Sequence, residues 1–413
     1  MTPIGEHVAD VVYGKLTSEK LRGAVEDDQL LYPQVRRYFR ETPWAILPDR
    51  LALMSELVRF RAKGGRLTRE QIEERIGDGA GAAHASLVER LARLTGEDTS
   101  SPDVQARMET AAARRVAGYV AGTVAVLPLY GVLMPRATAM SQLSGGTSVQ
   151  EFASALQAAA TNETVSSILL DVNSPGGSTD LIAEAAAAIR DARSSKPVEA
   201  IANCDAASAA YWLASQADSF WVTPSGMVGS IGVVMEHDDY SAQLEMIGVK
   251  VTLIYAGQYK TEGNPYEPLG ADAVAAFQSI VDDYYDMFVA DVASGRGASA
   301  ADVKAGYGQG RMLTAKEAVD ANMVDGIDTF DSVFGRLARG GAAKPKRRAE
   351  APGGLLELET GAQLLPAAPG TGAVMPPAGP GSDKPSVHDP ASRDEHDPWA
   401  LTQALNETLT KEN

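Results

Sequence analysis

The chain has 413 residues, 45% of them hydrophobic but only 6% aromatic, with one cysteine and a formal net charge of −17. Its length suffices for two ordinary domains or one with extensions, and its apolar content for a sizeable core. A single cysteine excludes an internal disulfide framework and is compatible with a reducing compartment, while the acidic balance argues against nucleic acid as the main partner, because phosphate binding needs a basic surface.

Met1 to Asp10 is neither basic nor followed by an apolar stretch, so no signal peptide is expected. No run reaches the roughly 18 apolar residues of a membrane span. The expectation is a cytoplasmic protein without membrane contact. Residues 1–115 read as a helical arm. Residues 49–63 carry apolar side chains at helical spacing behind Asp49, and Thr68 followed by Gln71 forms a capping-box pattern. Residues 96–116 are polar and alanine-rich and read as a linker.

From residue 122 β-branched runs alternate with alanine-rich segments. Strands are expected at 122–131, 165–172, 198–203, 220–223, 229–235 and 249–255. Helices are expected at 148–160, 180–192, 208–216, 240–246 and 271–294. Such alternation makes residues 116–335 an α/β unit with a mainly parallel sheet. Residues 336–413 break the pattern. A basic cluster, Lys344 to Arg348, reads as a solvated linker, and residues 351–385, rich in Pro, Gly and Ala, read as disordered. Residues 398–409, around Trp399, fit one short amphipathic helix.

Two strand-to-helix turns carry the chemistry. Asp171-Val-Asn-Ser-Pro-Gly-Gly-Ser178 turns on paired glycines, and Cys204-Asp-Ala-Ala-Ser-Ala-Ala-Tyr211 sets Ser208 at the start of a small-residue helix. A serine hydroxyl needs a nearby base and donors for the oxyanion. The amides of Gly176, Gly177 and Ala209 are candidate donors, because glycine lets backbone N–H groups approach a substrate closely. Two bases stay open on residue type and spacing. His237, with Asp238 or Asp239, would complete a triad; Lys260, flanked by tyrosines and glycines, would serve as a base if buried. Cys204 reads as a small buried apolar side chain.

Residues from about 120 to 330 resemble the signal peptide peptidase A (protease IV) family of serine peptidases. The resemblance rests on Asn173 to Ser178, Ala207 to Tyr211, Val228 to Val233, Gly257 to Lys260 with Pro268 beyond, and Arg311 to Ala318 leading to Met323 to Ile327. It implies a Clp-protease/crotonase-type fold, with Ser208 as nucleophile, Lys260 as general base, and Gly176, Gly177 and Ala209 as the oxyanion hole. It implies no metal or nucleotide cofactor, and closed homo-oligomers in which the dyad forms within or between chains. The unanchored arm, the tail and the Pro43 to Asp49 stretch resemble the phage head-maturation (prohead) branch. That branch implies capsid and scaffold proteins as substrates, self-cleavage, a place inside the assembling prohead in the host cytoplasm, and a portal or capsid contact for the tail helix. The competing readings are a scaffold protein with a vestigial peptidase domain, a crotonase-type acyl-CoA enzyme and a cytoplasmic peptide-degrading peptidase.

Overall fold

The computed structural model describes residues 42–52, 54–55, 79–114, 117–136 and 146–342. The capping-box pattern at 68–71, most of the 49–63 helix, and the tail with its basic cluster and terminal helix lie outside these residues. The first half of the chain gives β1 (Trp44–Ile46), α1 (Gly79–Thr95), α2 (Pro102–Arg114), β2 (Tyr119–Ala121), β3 (Val124–Tyr130), β4 (Leu133–Met134), β5 (Thr147–Ser148), α3 (Val149–Thr161), β6 (Ser167–Ser174), β7 (Gly176–Ser178), α4 (Ile182–Ser195) and β8 (Val198–Ala207). Then come α5 (Ala209–Ala214), β9 (Ser219–Val222), β10 (Met227–Gly229), α6 (Ser241–Met246), α7 (Ala271–Arg296), α8 (Ala300–Gly306), β11 (Met312–Thr314), α9 (Ala315–Asp320), β12 (Gly326–Ile327) and α10 (Phe330–Ala338).

The three most apolar strands make the centre. β3 and β6 pair in parallel from Val124↔Ser167 to Tyr130↔Asn173, and β6 pairs in parallel with β8. Strands buried on both faces need near-continuous apolar runs, and all seven residues of β3 are buried. Antiparallel strands close the edges, β2 beside β3 and β11 beside β10. One face carries α3, α4, α5 and α7 around Phe152, Leu170, Trp212 and Phe288. The other carries α1 and α10, whose Leu87, Leu91, Phe330 and Phe334 cover Val124, Val126 and Leu169. Each such side chain contributes roughly 1.5–3 kcal/mol by leaving water.

β8 changes neighbour halfway. Glu199–Ala202 lie beside β9, and Asp205–Ala207 lie beside β10. The break falls at Cys204, whose φ of 135° is unusual for a side-chain-bearing residue. The β6–β8 register slips at the same level, as expected at a bulge. Cys204 is therefore exposed at this kink, not buried as its sequence context had indicated.

A second sheet, in the order β1-β7-β4-β5, stands over the carboxyl ends of β6 and β8. β1 adds a small satellite core in which Trp44 and Ile46 pack with Leu51, Met54, Val132 and Met134.

Three expected elements differ. Residues 102–114 form α2 where a linker was expected; Val104 and Ala111 are buried, so a narrow apolar stripe was enough to hold it. The strand expected over 229–235 is cut to Met227–Gly229, followed by one bridge at Val234. Residues 249–255 form no strand, because no strand of the described residues lies alongside to complete a ladder; Val251, Leu253, Ile254 and Tyr255 are exposed.

Candidate active site

Ser208 ends β8 and opens α5 with φ 53° and ψ −120°, a backbone region that costs a non-glycine residue on the order of 1–3 kcal/mol. Two bonds hold it there. Its N–H donates to the Gly229 carbonyl at 2.7 Å, and its carbonyl accepts from the Trp212 N–H at 2.9 Å. The turn is thus pinned by β10 on one side and by the first turn of α5 on the other. Ser208 is buried, and its Oγ donates to the Gly232 carbonyl at 3.4 Å.

The glycine turn meets Ser208 across the carboxyl ends of β6 and β8. Gly176 has φ 96°, and a Cβ there would fall 2.9 Å from Ser208 Cβ and 2.2 Å from the Ala45 carbonyl oxygen. A Cβ on Gly177 would fall 1.9 Å from the Leu133 carbonyl oxygen. Neither position accepts a side chain. Ser174 braces the turn: its Oγ donates to the Gly131 carbonyl at 2.6 Å and accepts from the Gly176 N–H at 3.1 Å. The Gly176 amide is therefore committed inside the turn. Ala209, as first residue of α5, has no intrahelical acceptor, whereas Gly177 lies opposite Ala45 in the β1–β7 ladder. At six residues α5 supplies local N–H groups rather than a long dipole.

Beneath the turn, Asp171 is fully buried on β6. Burial pushes its carboxyl up to about 6, opposed by the hydrogen bond from Tyr130 and by the charge of Arg90. Tyr130 donates to Asp171 Oδ2, and its own hydroxyl is driven well above the usual range by burial and by that carboxylate. The pair props the start of the glycine motif; residue order showed Asp171 at the end of an apolar strand but not its partner 41 residues earlier. Ser174, a further positioning residue, lay unremarked within the same motif.

Ser208, Gly176, Gly177 and Ala209 come together. Lys260 does not join them: it is exposed in a turn, its N–H donates to the Gly257 carbonyl at 3.1 Å, and its side chain makes no hydrogen bond or ion pair among the described residues. The rival triad is not assembled either. His237 Nε2 lies 3.1 Å from the Asn264 carbonyl, Asp238 accepts from the Tyr240 hydroxyl at 2.8 Å, and Asp239 accepts from the Ser241 N–H at 2.8 Å. The only side-chain hydrogen bond of Ser208 among the described residues is that to Gly232. No cluster of His, Cys, Asp or Glu among the described residues has the arrangement of a metal site, and no helix among them is long and apolar enough to cross a membrane.

Residues 190–344 match the family model described as Peptidase family S49. Capsid assembly protease C of Escherichia phage lambda is 37% identical over 232 residues, covering 54% of this chain and 52% of that protein. Head-tail preconnector protein GP5 of Enterobacteria phage P21 is 39% identical over 180 residues, covering 44% of this chain and 36% of that protein. Protease 4 of Salmonella typhi is 24% identical over 298 residues, covering 72% of this chain and 47% of that protein. The chain spans about half or less of the length of these relatives. The α/β architecture with its mainly parallel sheet is the Clp-protease/crotonase-type fold of family S49.

Proposed function

We propose that this chain, which carries a peptidase family S49 domain over residues 190–344, is a serine endopeptidase of phage head maturation that cuts capsid and scaffold proteins and its own termini. One observation carries the chemistry: a buried serine, held in a strained strand-to-helix turn, faces a glycine turn across the ends of two parallel strands. Ser208 attacks the scissile carbonyl. The Gly177 and Ala209 amides receive the developing oxyanion; the C–N bond then breaks, the amine leaves with the proton that the base has taken from Ser208, and water releases the acyl-enzyme. The likeness to a capsid assembly protease supports the substrate class and a working place inside the assembling head.

Lys260 is the proposed base, and the pairing is made between copies. What supports this is the arm that bears it. From Met246 to Tyr266 the arm exposes Met246, Ile254, Tyr255, Tyr259 and Tyr266, and α7 exposes Val274 and Ile280. So many exposed apolar and aromatic side chains along one segment suit a subunit interface. In the assembly the interface buries the arm and brings Lys260 of one copy to Ser208 of the next, where burial lowers the cost of a neutral amine.

Complementation of inactive variants tests both parts. Ser208→Ala and Lys260→Ala are each expected to abolish self-shortening and cleavage of capsid protein, followed by mass spectrometry. Mixing them is expected to restore cleavage, because some neighbouring pairs then hold an intact serine and an intact lysine. Full activity of either variant alone overturns that residue's role. Inactive variants that form mixed oligomers without regaining activity overturn the pairing between copies.

A further inference from the structure

The groove beside Ser208 is filled by the chain's own backbone. β1 runs antiparallel to β7, with Ala45 opposite Gly177. The ladder continues past both ends. The Leu47 N–H donates to the Pro175 carbonyl at 2.9 Å, while the Thr179 N–H and Oγ1 donate to the Pro43 carbonyl at 3.2 and 3.0 Å. Bonded and non-bonded pairs alternate along an antiparallel ladder. Ala45 and Gly177 are therefore the bonded pair between these two, and the Gly177 N–H is set toward the Ala45 carbonyl. On its other edge the segment exchanges both bonds with Val234, Trp44 N–H to Val234 carbonyl and Val234 N–H to Trp44 carbonyl, each at 2.9 Å. The Ala45 carbonyl and Ser208 Cβ lie against the same face of Gly176.

The side chains alternate as the backbone does. Trp44 and Ile46 are buried in the satellite core, while Ala45 joins the main core on the opposite face. A peptide that adds itself to a sheet edge takes affinity from main-chain bonds and specificity from pockets for alternate side chains. Here 43–47 occupies the edges and the pockets together. Ser208 Oγ meanwhile is turned to the Gly232 carbonyl.

The geometry points to residues 43–47 as a resident occupant of the peptide cleft. The segment holds the place of a substrate strand, with the Ala45 carbonyl at the reacting position, and it leaves before another peptide enters. The cleft accordingly selects an extended peptide with a small residue at the position of Ala45 and large apolar residues on either side. The identity of the cleft rests on the peptidase reading above; its occupancy rests on strand pairing alone.

The test is binding of a fluorescein-labelled peptide with the sequence of residues 42–48, read by anisotropy. The full chain carries Ser208→Ala so that no turnover intervenes. Trp44→Ala with Ile46→Ala removes both apolar anchors of the resident strand, and this form is expected to bind the peptide at least about tenfold more tightly than the form with the native strand. A second variant, Pro43→Cys with Thr179→Cys, ties the strand to its wall, since bonded neighbours sit about 5.5 Å apart, within the span of a disulfide. Oxidised, it is expected to refuse the peptide; reduced, it is expected to regain the native affinity. Equal affinity with the strand anchored, unanchored and locked overturns the occupancy, as does failure of the folded, unanchored form to bind. Should the unanchored form not fold, the oxidised and reduced lock alone decide: equal affinity in the two overturns the proposal. Hydrolysis is read separately, in the unanchored chain with Ser208 intact. Binding without hydrolysis leaves the occupancy standing and removes the peptidase reading.

Discussion

Asp171→Asn is expected to stabilise the protein at neutral pH and to change little in acid. Asp171 is fully buried, and burial lifts its carboxyl from 3.8 to about 6. The folded chain thus holds a proton that the unfolded chain has released over the interval between those values. Stability contributed by this group is fully present below about pH 4, falls as pH rises, and is lost once pH passes about 6. Each unit corresponds to about 1.4 kcal/mol, so the ionised form weakens the fold by roughly 3 kcal/mol above that window. Asparagine does not titrate, and its carbonyl still accepts from the Tyr130 hydroxyl. Urea melts from about pH 4 to about pH 8 should show the variant gaining on the native chain through the window, from near zero to roughly 3 kcal/mol. A variant less stable than the native chain at about pH 8, or a gap that does not change with pH, would refute the reasoning.

Gly176→Ala places a Cβ 2.2 Å from the Ala45 carbonyl oxygen at φ 96°; urea melts should show a loss of roughly 1–3 kcal/mol, and labelling of Ser208 by a fluorophosphonate should slow. Gly295→Ala lies in helix α7, where alanine alone would gain about 1 kcal/mol. Its Cβ would instead meet the Ser215 carbonyl oxygen at 2.4 Å, so a net loss is expected in the melting temperature. Asp325→Asn removes the charge that faces buried Arg296 through bonds of 2.9 and 3.1 Å, and should lower stability by about 3–5 kcal/mol in the same melts. Phe334→Ala opens the core between α10 and β3 and should weaken the fold by about 3–5 kcal/mol, with Ser208 labelling unchanged wherever the chain is folded.

The sheet and the two turns were legible because their signals are local. Apolar runs at 165–172 and 198–203 predict strands, and a glycine pair beyond one run and a serine beyond the next predict where backbone must approach backbone. Helix α2 was hidden because, among its described side chains, a thin stripe of Val104 and Ala111 alone is buried. Residues 249–255 alternate like a strand, yet pairing is a property of two segments and the described chain offers no second one. β1 was the least legible element. Three residues carry no periodicity, and its partners Gly176–Ser178 and Val234 lie far along the chain. The same limit applies to Lys260: its residue type names a base, but the surface that would shield it is not written in its neighbours.

The fork in β8 divides labour along a single strand. Its first half, beside β9, belongs to the buried sheet; its second half, beside β10, belongs to the rim that presents Ser208. The kink at Cys204 is the joint between them. Val228 shares one core cluster with Phe220 and Val222, so a change there is felt both in the melting temperature and in the aim of one hydroxyl. The aim of the Ser208 hydroxyl is thereby tied to the packing of the core beneath it.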